Sequence, residues 1–242
     1  MPRPAPAPAD VLATMLRSDA TRPRITCYDD ATGERIELSA KTLANWVAKA
    51  ANLLQDEGDV TVGNTVGLDL PLHWRAAYWA LAAWSVGCHV ITGPDAAGAD
   101  VVVTTSPAVA IGTVDDGRYA VLVTLAALAR GNPQTPADVL DEAKELSSFG
   151  DQFAAWDSAD PAEPALSADG ERAAYGEVVV TRDWPQRPRV HVTGPLGPAL
   201  RAMLGAWAAD GTVVVITNRS GDTTPPLAVG KLKGRTTSKG VT

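Results

Sequence analysis

Gly63-Asn64-Thr65-Val66-Gly67-Leu68-Asp69-Leu70-Pro71 is followed by an Ala- and Trp-rich run over 73–86 and then by Gly87-Cys88-His89-Val90-Ile91. Residues 65–70 are short and apolar, which suits a buried strand. The run over 73–86 is apolar nearly all round, so as a helix it needs to be sandwiched rather than exposed. Gly87 ends it, and 88–91 form another short strand. Further along, Asp100-Val101-Val102-Val103-Thr104 and Tyr119-Ala120-Val121-Leu122-Val123 are continuous β-branched runs. Such runs, separated by helices, suit parallel strands covered on both faces. The expected class is α/β, a mostly parallel sheet flanked by helices.

Working towards the N-terminus, Arg24-Ile25-Thr26-Cys27-Tyr28 and Arg35-Ile36-Glu37-Leu38 alternate at period two around Asp30-Ala31-Thr32-Gly33, a β-hairpin pattern. Ser39 is placed to cap a helix running to about Gln55, whose apolar stripe includes Leu43, Trp46, Val47 and Leu54. Asp10 is read as the cap of a first helix over 11–17, and residues 1–9, alternating Pro with small residues, as a flexible lead. Towards the C-terminus the acidic stretch 136–148 reads as a helix and 158–171 as a loop. Strands are expected at 177–181, 189–193 and 212–216, with a helix over 195–208. The α/β domain is thus expected to span 10–217, and 218–242 reads as a loose basic tail.

Bulk properties narrow the classes. The 242 residues carry a formal charge of -7, which argues against nucleic acid as a partner because phosphate backbones need a basic face. No run reaches the roughly 18 apolar residues that cross a bilayer, and the Pro-rich start lacks the apolar core of a secretory signal. No membrane association and a cytoplasmic location are therefore expected. Two cysteines, Cys27 and Cys88, are too few for a disulfide framework or a metal cluster and are read as buried small hydrophobes.

The ordered series over 24–90 resembles the opening of the AMP-binding (adenylate-forming) enzymes: acyl-CoA synthetases, luciferases and peptide-synthetase adenylation domains. That family shows a hairpin with a Gly-Glu turn, here Gly33-Glu34. A capped helix follows, then a Gly-Asp-x-Val-Gly-Leu-type strand, here Gly63 to Leu68. A Pro-led helix and a Gly-Ala-Val turn come next, matched by Pro71 and by Gly87-Cys88-His89-Val90. Residues 189–216 are similar to the family's Pro-Leu-x-His helix and Gly-x-Val-Val-Val strand, through Pro195-Leu196 and Gly211-Thr212-Val213-Val214-Val215, with Pro198 in place of the histidine. The layout resembles short relatives of that family in high-GC bacteria.

One departure matters for chemistry. After a Pro-Ala-Leu lead-in the family carries a Thr-Ser-Gly-Thr-Thr-Gly-x-Pro-Lys loop that holds ATP phosphates. Here Pro164-Ala165-Leu166 runs into Ser167-Ala168-Asp169-Gly170-Glu171-Arg172. The paired glycines and the lysine are missing, and a phosphate cradle needs backbone N–H groups and a cation. The resemblance also implies adenine and ribose motifs and a C-terminal lid with a catalytic lysine, for which these 242 residues leave no room. The expectation is a truncated, pseudoenzyme-like domain without adenylate-forming activity, binding a small molecule or a protein partner. No cofactor is expected, with residual nucleotide or CoA binding left open. Two alternatives stand beside it: an enzyme of altered chemistry on an acyl, CoA-type or nucleotide substrate, and an oligomeric assembly module, such as a homodimer.

For the site itself, His73 and Trp74 lie just past a strand end, where ligands enter open α/β sheets, although capping and packing the next helix is the simpler role. Gly194-Pro195-Leu196-Gly197-Pro198 follows a strand and opens a helix. That is a phosphate-loop context, weakened by two prolines that each lack an N–H. The candidate ligand-binding residues are therefore His73, Trp74, Gly194 and Gly197, with no catalytic residue and no metal site. His89 and His191 are read as core histidines, and the acidic face Asp138, Asp141, Glu142, Glu145 as solvated. Trp156 and Trp184 fall in loop-like segments and are candidate exposed contacts.

Overall fold

Ser39 starts the second helix by accepting the Thr42 N–H, and Gly87 ends the third in the left-handed region at φ 97°. These local signals place the elements that the sequence pattern implies. The structure, a computed structural model, describes residues 6–126, 128–131 and 135–218. Of the expected flexible lead 1–9 and loose tail 218–242, residues 1–5 and 219–242 lie outside the described residues. In chain order the elements are α1 (Pro8–Asp19), β1 (Pro23–Asp29), β2 (Arg35–Ser39), α2 (Ala40–Asp56), β3 (Thr65–Asp69), α3 (Trp74–Val86) and β4 (His89–Thr92). They continue with β5 (Val101–Thr104), α4 (Pro107–Asp115), β6 (Tyr119–Leu122), β7 (Leu140–Asp141), α5 (Glu142–Glu145), β8 (Pro164–Ala168) and β9 (Glu171–Ala174). The last are β10 (Arg189–Val192), α6 (Leu196–Ala208) and β11 (Thr212–Thr217).

The strands form two sheets. The larger has the order β7-β6-β5-β3-β4-β8-β9 and is parallel except for the β8–β9 hairpin. The smaller has the order β10-β11-β1-β2 and is parallel except for the β1–β2 hairpin. Helix α3 lies between them, in contact with β1 of one sheet and β3 and β4 of the other. Its residues are buried except Ser85, as an all-round apolar helix requires. Gly67 in β3 lets the turn at Pro94–Gly98 pack directly on the sheet, since a Cβ there would lie 1.8 Å from the Ala96 carbonyl oxygen.

Five expectations are corrected. The stretch 136–148 is not one helix: Leu140–Asp141 pairs in parallel with Val121–Leu122 as β7, and only the short α5 and a 3-10 turn at Leu146–Ser148 follow. Its acidic residues are not all solvated, because Asp141 and Glu142 are buried. Residues 164–168 are not loop but β8, held between β4 and β9. No strand forms at 177–181, where Val178 and Val179 are buried by an irregular segment. The first helix begins at Pro8, and Asp10 accepts the Ala7 N–H from within its first turn instead of preceding it.

Candidate functional site

The C-terminal ends of β1, β10 and β11 meet the β3–α3 connection, and a cleft of about 1000 Å³ opens between the sheets. His73, Trp74 and Gly194 line it together; Gly197 does not. Gly197 faces β8, where a Cβ would come within 2.2 Å of the Ala168 Cβ and 2.7 Å of the Thr92 hydroxyl. Close packing therefore accounts for that glycine. Gly194 takes φ 93° at the turn into α6, and its neighbour Pro195 also lines the cleft.

His73 is the N-cap of α3, its Nδ1 accepting the Arg75 N–H at 3.3 Å. With Nδ1 accepting, the ring proton sits on Nε2. Burial first, and Arg75 second, depress its pKa to about 4 against a pull from Asp29, so the ring is neutral at physiological pH. Trp74 is 4% exposed, and its indole N–H has no hydrogen-bond partner. The Arg75 guanidinium lies 4.5 Å from the Trp74 ring centroid and is engaged behind it. It pairs with Glu142 at 2.9 Å and donates to the Ala126 carbonyl at 3.0 Å.

Glu142 also accepts from the Tyr78 hydroxyl and from the Trp79 indole at 3.1 Å. Burial lifts its pKa to about 7 in spite of Arg75. This network ties α3 to α5 and to the segment that brings Leu125 and Ala126 onto the cleft wall. The sequence reading missed it. The available signal was a single arginine inside an otherwise apolar helix, a group that needs a buried carboxylate.

Among the described residues, the charged ones lining the cleft are Asp29 at the end of β1 and Glu34 in the turn before β2, with no Lys or Arg. Asp29 accepts from the Ala31 and Thr32 N–H groups and from Asn218, and hydrogen bonding, that of Asn218 foremost, holds its pKa below the usual value. Cys27 sits deeper, its thiol pushed up to about 11 by burial first, with Asp29 and Glu34 adding to the shift. A thiol in that state is not a nucleophile at neutral pH. His191, on β10, is half-buried on the cleft wall rather than in the core, whereas His89 is buried and bonded to the Ser167 hydroxyl at 2.9 Å. Trp156 is 64% exposed and Trp184 packs half-buried on the core. Among the described residues no group of three or more His, Cys, Asp or Glu could hold a metal ion, and no helix is long and apolar enough to cross a membrane.

The second place that bears on chemistry is the β8–β9 hairpin. Ser167 pairs with Arg172 and Ala168 with Glu171, leaving two residues at the tip. Asp169 and Gly170 both take positive φ, 51° and 79°, as in a type I′ turn.

This arrangement of sheets recurs in solved structures. The N-terminal domain of FACL13 from Mycobacterium tuberculosis matches with a TM-score of 0.63 at 16% identity, over 87% of this chain and 57% of that one. Coronafacic acid ligase from Pectobacterium brasiliense matches with a TM-score of 0.68 at 8% identity, over 88% of this chain and 46% of that one. The chain has the N-terminal fold of the adenylate-forming enzymes. A third structure of this adenylate-forming kind, the nonribosomal peptide synthetase FmoA3 in its AMPPNP-bound form, matches with a TM-score of 0.63 at 19% identity, over 89% of this chain and 23% of that one. In sequence, a TIGR03089 family protein of Mycobacterium tuberculosis is 43% identical over 148 residues, which cover 59% of this chain and 60% of that relative. No protein-family model matches the chain.

Proposed function

We propose that this chain is a non-adenylating domain of the adenylate-forming fold that holds a small molecule in the cleft between its sheets. The observation that supports this reading most is the two-residue Asp169–Gly170 tip of the β8–β9 hairpin, at the place where the resemblance puts the phosphate loop. A loop that cradles phosphates presents several free N–H groups around an anion, with a cation to neutralise it. Here the flanking residues are committed to the strand pairs Ser167–Arg172 and Ala168–Glu171, and the tip carries the carboxylates of Asp169 and Glu171. The cleft supplies the other half of the reading. At about 1000 Å³, with apolar walls and a few polar groups, it has the size and character of a small-molecule site.

Two measurements test this reading. ATP–pyrophosphate exchange, assayed with a panel of carboxylic acids, is expected to stay at background, and ATP is expected to leave the melting temperature unchanged. Small apolar ligands that fill the cleft are expected to raise it by mass action. Exchange dependent on ATP and an acid would overturn the non-adenylating reading.

A further inference from the structure

The polar groups around the cleft specify a charge for its occupant. We infer that the cleft takes a small apolar molecule carrying a cationic head and a hydrogen-bond acceptor, not a carboxylate or a phosphate ester. This rests on the reading of the cleft as a binding site and adds the ligand class.

Glu34 is exposed at the mouth, Asp29 lies beside it, and among the described residues no Lys or Arg lines the cavity to balance them. Arg75 is spent on Glu142 behind the Trp74 ring. The field of the two carboxylates reaches inward, since both act on Cys27 and Asp29 acts on His73. A cleft lined by one sign of charge between low-dielectric walls concentrates the opposite sign. An anionic head would meet uncompensated repulsion there, and an ammonium would find partners.

Deeper in, the polarity reverses to a donor. His73 lines the cleft, and the tautomer set by Arg75 leaves its Nε2–H as a donor. An ether, carbonyl or hydroxyl oxygen within the ligand body would accept from it. The walls between rim and floor, Ile36, Leu72, Leu125 and Ile216, are apolar and suit a ring or short chain.

A matched set of probes tests the charge rule on the full chain: 3-phenoxypropylamine, 3-phenoxypropan-1-ol and 3-phenoxypropionate, titrated by calorimetry at pH 7.5 in low salt. The expected order of affinity is amine, then alcohol, then carboxylate, with about a tenfold or larger gap between the first and last. Glu34→Gln, at an exposed turn that the fold does not depend on, is expected to narrow that gap several-fold and leave the alcohol unchanged. His73→Asn keeps a helix-capping side chain and removes the ring N–H, and is expected to weaken all three probes alike. Binding of the carboxylate as tight as the amine, or tighter, overturns the inference while leaving the binding reading in place. Failure of all three to bind at millimolar concentration, with the protein folded by circular dichroism, overturns the binding reading and the inference with it.

Discussion

Arg24 and Arg75 are both buried and both paired with a carboxylate, Asp210 in one case and Glu142 in the other, yet the two carboxylates are pushed in opposite directions. Asp210 keeps 26% of its side chain open to water and meets three cations: Arg24 at 2.7 Å, Arg187 at 3.0 Å and Arg22 at 3.1 Å. Burial there opposes the charge, but hydrogen bonding from Arg24 and the neighbouring cations overcome it and hold the carboxyl below its ordinary range. Glu142 is 2% exposed and has one arginine, one hydroxyl and one indole. Burial dominates and raises it to about 7. The presence of an arginine does not set the sign of the shift. The number of cations and the access of water do.

The largest test of this contrast removes one charge from each cluster. Arg75→Met leaves Glu142 buried with no positive partner, and is expected to cost about 3–5 kcal/mol at pH 8. At pH 5 the loss is expected to shrink, because Glu142 is then protonated in both variant and parent. Urea unfolding at the two pH values checks this, and equal losses at both would break the contrast. Asp210→Asn is milder. Arg24 keeps its bonds to the Gly211 and Met15 carbonyls, so about 2 kcal/mol is expected. The folded pKa of Asp210 lies below its ordinary value of 3.8, so its contribution is present above that value and lost as pH falls through the folded pKa. The Asn variant is expected to show a flatter acid limb below pH 4.

The smallest effect concerns His73, the neighbour of the Glu142 network. Glu142, raised from 4.5 to about 7, favours folding most at low pH and loses that contribution as pH rises through this window. His73, lowered from 6.5 to about 4, contributes fully above 6.5 and loses its contribution as pH falls towards 4. The two trends oppose each other. His73→Asn retains a helix-capping side chain and removes one of them. Relative to the parent, its melting temperature is expected to rise by about 4 °C between pH 6.5 and pH 4.5. An unchanged difference across that range would show that His73 is not held neutral by burial.

What could be read from the residues alone was what local pattern determines. The hairpin around Gly33, the Ser39 cap and the apolar runs of β3, β5 and β6 carry their signals within a few residues of themselves. The stretch 136–148 has helical spacing of acids, but Leu140 and Asp141 are captured by β6, an interaction no local period reports. β8 was hidden in a Pro- and Asp-rich segment for the same reason: its structure comes from β4 and β9. His73, Trp74 and Gly194 share the cleft lining because each abuts the end of a strand, a position that local pattern reports. Gly197 lies away from that cleft, because a turn resembling an anion loop and a turn shaped by close packing use the same glycine. Asp29 and Glu34 were seen only as hairpin residues. Their role on the cleft wall depends on where β10 and β11 arrive.

That arrival has a consequence in time. β1 is an inner strand of the smaller sheet, with Ile25 opposite Val213 and Tyr28 opposite Ile216. Its partner β2 is made almost at once, but β11 follows nearly the whole chain later. At a synthesis rate of roughly 5–20 residues per second the delay is about 10–40 s. Throughout it, one edge of β1 carries unpaired N–H and carbonyl groups beside apolar side chains, the kind of edge that other chains can extend. One wall of the cleft is therefore completed only after every other strand of the two sheets has been made.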